Sequence, residues 1–115
     1  MRNITITCLL IYVINLLPVA AFEIELEETF GDNNSVSTVQ ILSSTDSERF
    51  RPVINGFINR NPELSVRYVT ASTAEIYTAI ATENANFDLV ISSAMDLQMK
   101  LANDGFTKTV TLAGN

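Results

Sequence analysis

Three times along this chain a hydroxyl residue stands three positions ahead of an acid, each time shortly after an apolar, strand-like stretch. The pairs are Thr45-x-x-Glu48, Ser72-x-x-Glu75 and Ser93-x-x-Asp96. In a capping box the hydroxyl accepts from the third helical amide while the acid reaches back to the cap amide. A strand followed by such a box begins a helix, and three in succession predict a βαβαβα unit: an α/β chain with a parallel sheet and right-handed crossovers.

The segments between the boxes agree. Val36 to Leu42 is β-branched and apolar. After Ser47, the residues Phe50, Val53, Ile54, Phe57 and Ile58 fall on one helical face, and Asn61-Pro62 ends the pattern. Pro52 lies inside that helix and should bend it or cost stability, yet the periodicity runs unbroken across it. Leu64, Val66 and Tyr68 alternate with polar neighbours, as in a strand with one wetter face. A second helix follows Ala71-Ser72-Thr73, with Ile76, Ala79 and Ile80 inward. Phe87 to Ile91 reads as a third strand buried on both faces. Ser92-Ser93 then opens a third helix, with Leu97 and Leu101 inward and Asn103-Asp104-Gly105 at its end. The dry stretch 87–91 is expected in the sheet interior and 64–69 nearer an edge, in a 2-1-3 strand order.

Ahead of this unit lie two segments of other character. Residues 1–21 open with Arg2, continue through the apolar run Ile4 to Leu17, and close on Pro18-Val19-Ala20-Ala21. That is the pattern of a secretory signal peptide cut after Ala21, which predicts a periplasmic location and removes the single Cys8 with the leader. The apolar run is shorter than the ~20 residues a spanning helix needs. Residues 22–35 carry Glu23, Glu25, Glu27 and Glu28 before Gly31-Asp32-Asn33-Asn34, and read as an acidic, solvated polar leader. Residues 36–115 are then the folded part.

Composition narrows the chemistry. With 47% hydrophobic and 17% charged residues the chain should fold. Its net charge of −6 leaves no basic patch for nucleic acid. Histidine is absent and cysteine occurs once, which excludes the commonest general base, the commonest metal ligand and any internal disulfide. No activated nucleophile, glycine-rich phosphate loop or metal motif is present, so neither an enzyme nor a bound cofactor or metal is expected. The groups placed for binding are the hydroxyl loops Ser43-Ser44-Thr45 and Ser92-Ser93-Ala94. Both lie where ligands bind in open parallel sheets, beyond the strands' carboxyl ends at the point of order reversal. Helix amides there suit a phosphate, a carboxylate or a hydrated metal–anion complex. The same residues also serve as ordinary caps and turns.

The stretch Val39-Gln-Ile-Leu-Ser-Ser-Thr-Asp-Ser-Glu-Arg-Phe50, with Pro52-Val-Ile and Asn61-Pro-Glu, resembles the start of a periplasmic solute-binding protein of an ABC importer. Ser92-Ser-Ala-Met-Asp-Leu-Gln-Met-Lys-Leu-Ala-Asn-Asp-Gly-Phe106 is similar to a stretch typical of the branch usually labelled iron(III)-binding. The resemblance covers roughly residues 36–108. It implies the first part of lobe 1 of a type II periplasmic-binding-protein fold, truncated relative to the family. It further implies a monomer that captures iron(III) or a small anionic or phosphorylated solute and delivers it to a permease in the inner membrane. Positions 43–45 and 92–94 would face the cleft. Two other readings stay open: a periplasmic sensory module of a membrane receptor kinase, and a small flavodoxin-like or receiver-like enzyme or switch.

Overall fold

A computed structural model describes residues 22–113; the expected leader 1–21 and Cys8 lie outside them. The elements, in chain order, are β1 (Leu26–Phe30), β2 (Ser37–Ser43), α1 (Ser47–Arg60), β3 (Leu64–Thr70), α2 (Thr73–Tyr77) running into a π-helical turn (Thr78–Thr82), β4 (Leu89–Ile91) and α3 (Met95–Asn103). The fold is mixed α/β around one four-stranded sheet, in the order β1-β3-β2-β4. Strand β2 runs parallel to both β3 and β4, whereas β1 is antiparallel to β3.

The side-chain alternation of the strands divides the core in two. Ile41, Val66, Tyr68 and Phe30 pack with Ile54 of α1 on one face; Leu42, Val69 and Ala71 pack with Ile76 and Ala79 on the other. α1 continues through Pro52, which sits exposed on it. Its apolar stripe is only partly covered, because Val53 remains 66% exposed. Val53, Ile54 and Phe57 of α1, with Val39, Ile41, Val66 and Leu89 of the sheet, line an open apolar groove of about 210 Å³.

Three expectations are corrected. Residues 22–35 are not wholly a solvated arm, since β1 lies within them and pairs along its length with β3. Two ion pairs explain why so acidic a strand docks. Glu27 meets Arg67 at 2.6 Å, and Glu28 accepts from Arg51 at 2.8 Å and from Ser47 Oγ at 2.7 Å. Next, the strand expected inside the sheet is at its edge and the one expected near an edge is inside. β1 covers β3, while among the described residues β4 pairs only with β2 and leaves Leu89 48% exposed. An apolar run reports that a strand is to be covered, not which neighbour covers it. Last, only one of the three boxes acts as a cap. Ser72 accepts from the Glu75 amide at 3.3 Å, but the Glu75 carboxylate bonds the Glu23 amide instead of reaching back. The cap residues of α1 and α3 are Asp46 and Ala94, and neither side chain caps its helix. Thr45 and Ser93 lie one residue too early for the role.

The Glu28 interactions make a pH prediction. The Ser47 hydroxyl first, and then Arg51, hold its carboxyl below the ordinary 4.5. A carboxyl depressed in the folded state stabilises the fold above its unfolded value, and that contribution is lost as pH falls through the folded value. The melting temperature should therefore drop as pH is lowered from about 5 toward about 3. Glu28→Gln should melt lower at neutral pH and respond less to acid; an unchanged slope in melts run across this range would show that Glu28 contributes nothing.

Candidate functional site

The parallel strands β2 and β4 are neighbours, and their carboxyl ends hand the chain to the two hydroxyl loops. β2 closes on Ser43, which is fully buried, and β4 on Ile91. The structure brings all six residues singled out from sequence to this one end of the sheet. The Ser44 amide donates to the Ile91 carbonyl at 3.0 Å, extending the ladder one step past the strands. Ser44 Oγ accepts from the Ser93 amide at 3.0 Å and stands 3.4 Å from Ser93 Oγ, so the two loops are joined side by side. Ser43 Oγ accepts from the Thr45 amide at 3.0 Å, and Ser92 Oγ from the Ala94 amide at 3.1 Å. Each is a local serine turn that steers the backbone toward the following helix.

These bonds change what each serine can do. Several loop amides are already held by serine oxygens. What remains for a ligand is one hydroxyl proton of the Ser44–Ser93 pair, the Thr45 side chain, and first-turn amides of α1 and α3. Neither helix has a side-chain cap on its first-turn amides and positive dipole end, although the Arg49 amide turns back to the Asp46 carbonyl at 3.1 Å. Glu48 and Asp96 occupy the first turns, as dipole complementarity favours. The arrangement can accept hydrogen-bond acceptor groups. Among the described residues, no group of three or more acids and cysteines is placed to hold a metal ion.

The loop after β3, at the same end of the sheet, differs. Glu23, Glu25, Ser72 and Glu75 line an open hollow of about 160 Å³ there. The strand alternation read from sequence gives no sign of the polar end of Tyr68. The phenol is buried to 1% exposure, and its hydroxyl donates to the Thr45 carbonyl at 2.7 Å. The alternation of Leu64, Val66 and Tyr68 marks Tyr68 as inward-facing, but only the pairing of β3 beside β2 brings its hydroxyl under the loop.

Among known proteins, the chain is similar to a substrate-binding protein of an ABC transporter from Agrobacterium tumefaciens, at 33% sequence identity and a TM-score of 0.72. The likeness covers 80% of this chain and 29% of that one, so the sheet and its helices resemble a part of a substrate-binding protein. No family model and no curated protein matches.

Proposed function

We propose that this chain is the exported solute-binding component of an ABC transporter. In this reading residues 36–115 belong to lobe 1 of a type II periplasmic-binding-protein fold, and loops 43–45 and 92–94 form one wall of its ligand cleft. The observation that carries it is the Ser44–Ser93 junction. It sets two hydroxyl loops and two uncapped helix starts side by side, at the ends of adjacent parallel strands, in a chain similar to a substrate-binding protein. A small anionic or phosphorylated solute suits these donors. Iron(III) wants several hard oxygen ligands, which the second wall of the cleft would have to supply. The protein acts as a monomer and passes its solute to a permease in the inner membrane.

Export is part of the proposal. Phe22, the residue that follows the expected cut, is half-buried against the cluster of Leu42, Val69 and Ile76. Expressed in a Gram-negative host, the chain should yield a periplasmic product whose intact mass corresponds to an N-terminus at Phe22. A full-length mass in the inner membrane fraction would contradict export with cleavage.

Ligand capture is tested in a completed two-lobed protein, by calorimetric titration with inorganic phosphate; this chain by itself, one wall of the cleft, should show no tight binding. Ser44→Ala and Ser93→Ala each remove a hydroxyl and should weaken binding by about 1–3 kcal/mol. Ser72→Ala is the control. It removes the one serine cap among the described residues and should cost about 1 kcal/mol of stability with little effect on affinity. If all three variants bind phosphate equally well, the cleft lies elsewhere.

A further inference from the structure

The hydroxyl loops carry the proposed cleft, yet the bond that fixes the shape of the first one comes from beneath it. Tyr68 stands on β3 opposite Ile41 of β2. Its ring is held from the helix side by Phe50, with centroids 6.2 Å apart and the planes tilted by 35°. From that position the hydroxyl reaches the Thr45 carbonyl, the last before Asp46.

A trans peptide is planar, with its C=O and N–H pointing in opposite directions, and the described residues contain no cis peptide bond. A carbonyl drawn down toward a buried phenol therefore turns the amide of the same peptide up and away from the core. That amide is the N–H of Asp46. It donates to no other backbone group among the described residues, and Asp46 itself is exposed at the start of α1.

We infer that Tyr68 is the positioning residue of this site: by holding the Thr45 carbonyl inward it aims the Asp46 N–H at an acceptor atom of the bound solute. The inference rests on the reading of loops 43–45 and 92–94 as a cleft wall. Burial pushes the phenol's pKa up, and the Asp46 carboxylate adds to the rise, so the hydroxyl remains a donor at neutral pH. The serine side chains at 43 and 44 accept from the amides of Thr45 and Ser93. The Tyr68 hydroxyl holds the Thr45 carbonyl from β3.

The test uses the isotope-labelled full chain, inorganic phosphate as the probe, and backbone amide resonances as the readout, for the unmodified protein, Tyr68→Phe and Ser72→Ala. Tyr68→Phe keeps the ring and deletes only the hydroxyl. The expected result is a phosphate-dependent shift of the Asp46 amide in the unmodified chain. In Tyr68→Phe the shift saturates at about tenfold higher phosphate, the equivalent of one net hydrogen bond. Ser72→Ala, melting at a similar temperature, should titrate like the unmodified chain. An Asp46 shift that is the same in Tyr68→Phe overturns the role of Tyr68 while leaving the cleft standing. If phosphate moves no amide of residues 43–47 or 92–96 in the unmodified chain, the cleft reading fails and takes the inference with it.

Discussion

Leu42→Ala should cost this protein about 2–5 kcal/mol of folding stability, a large share of the roughly 5–15 kcal/mol available to a whole domain. Leu42 is fully buried on the central strand β2, where it pairs with Val69 of β3 and Val90 of β4. It also packs in the cluster with Ile76 and Ala79 beneath α2. Truncation removes the transfer energy of the side chain and leaves a cavity that two hydrogen-bonded neighbouring strands cannot close. The comparison is Val53→Ala on α1. Val53 is apolar and lies on the helical face read from sequence, but it is 66% exposed and should cost less than about 0.5 kcal/mol. Urea denaturation of the two variants checks the difference, and equal losses would mean that the sheet is not packed as described.

The second large effect concerns solution behaviour. One side of β4 has no strand beside it among the described residues, and Leu89 on that strand borders the apolar groove with Val53. A bare strand edge beside apolar surface is a site for unwanted pairing. The chain should therefore bind an apolar dye strongly and aggregate when heated. Leu89→Lys, which places a charge at a half-exposed edge position, should lower dye fluorescence several-fold and delay aggregation. A sharp, reversible melt of the unmodified monomer, with little dye binding, would contradict this account.

How far the fold was legible follows from what each signal measures. The periodicity of Phe50, Ile54, Phe57 and Ile58 located α1, and the buried positions Ile76, Ala79 and Leu101 were read from the same kind of spacing. Helical spacing depends on one element and one core, so it survives without knowledge of neighbours. Strand position does not. The acidic β1 gave no apolar alternation to read, because Glu27 and Glu28 are satisfied by Arg67 and by Arg51 with Ser47, residues 19 or more positions away in sequence. Cap positions were missed by one residue at Thr45 and by one at Ser93, since the serine turns of Ser43 and Ser92 delay the helices. The six loop residues were still found, because strand ends and hydroxyl runs are visible in sequence. The hydroxyl of Tyr68 beneath Thr45 was not, because it is a product of β3 lying against β2.

The most direct test of the central claim is a chimera. The stretch of the Agrobacterium tumefaciens substrate-binding protein that this chain matches, 29% of that protein's length, is replaced by the matching residues of this chain, and small-solute binding is measured by calorimetry. If loops 43–45 and 92–94 form one wall of a solute cleft, the folded chimera binds a solute, and Ser44→Ala in the graft weakens that binding by at least about fivefold. A folded chimera that binds nothing, or one whose affinity ignores Ser44, would contradict the claim.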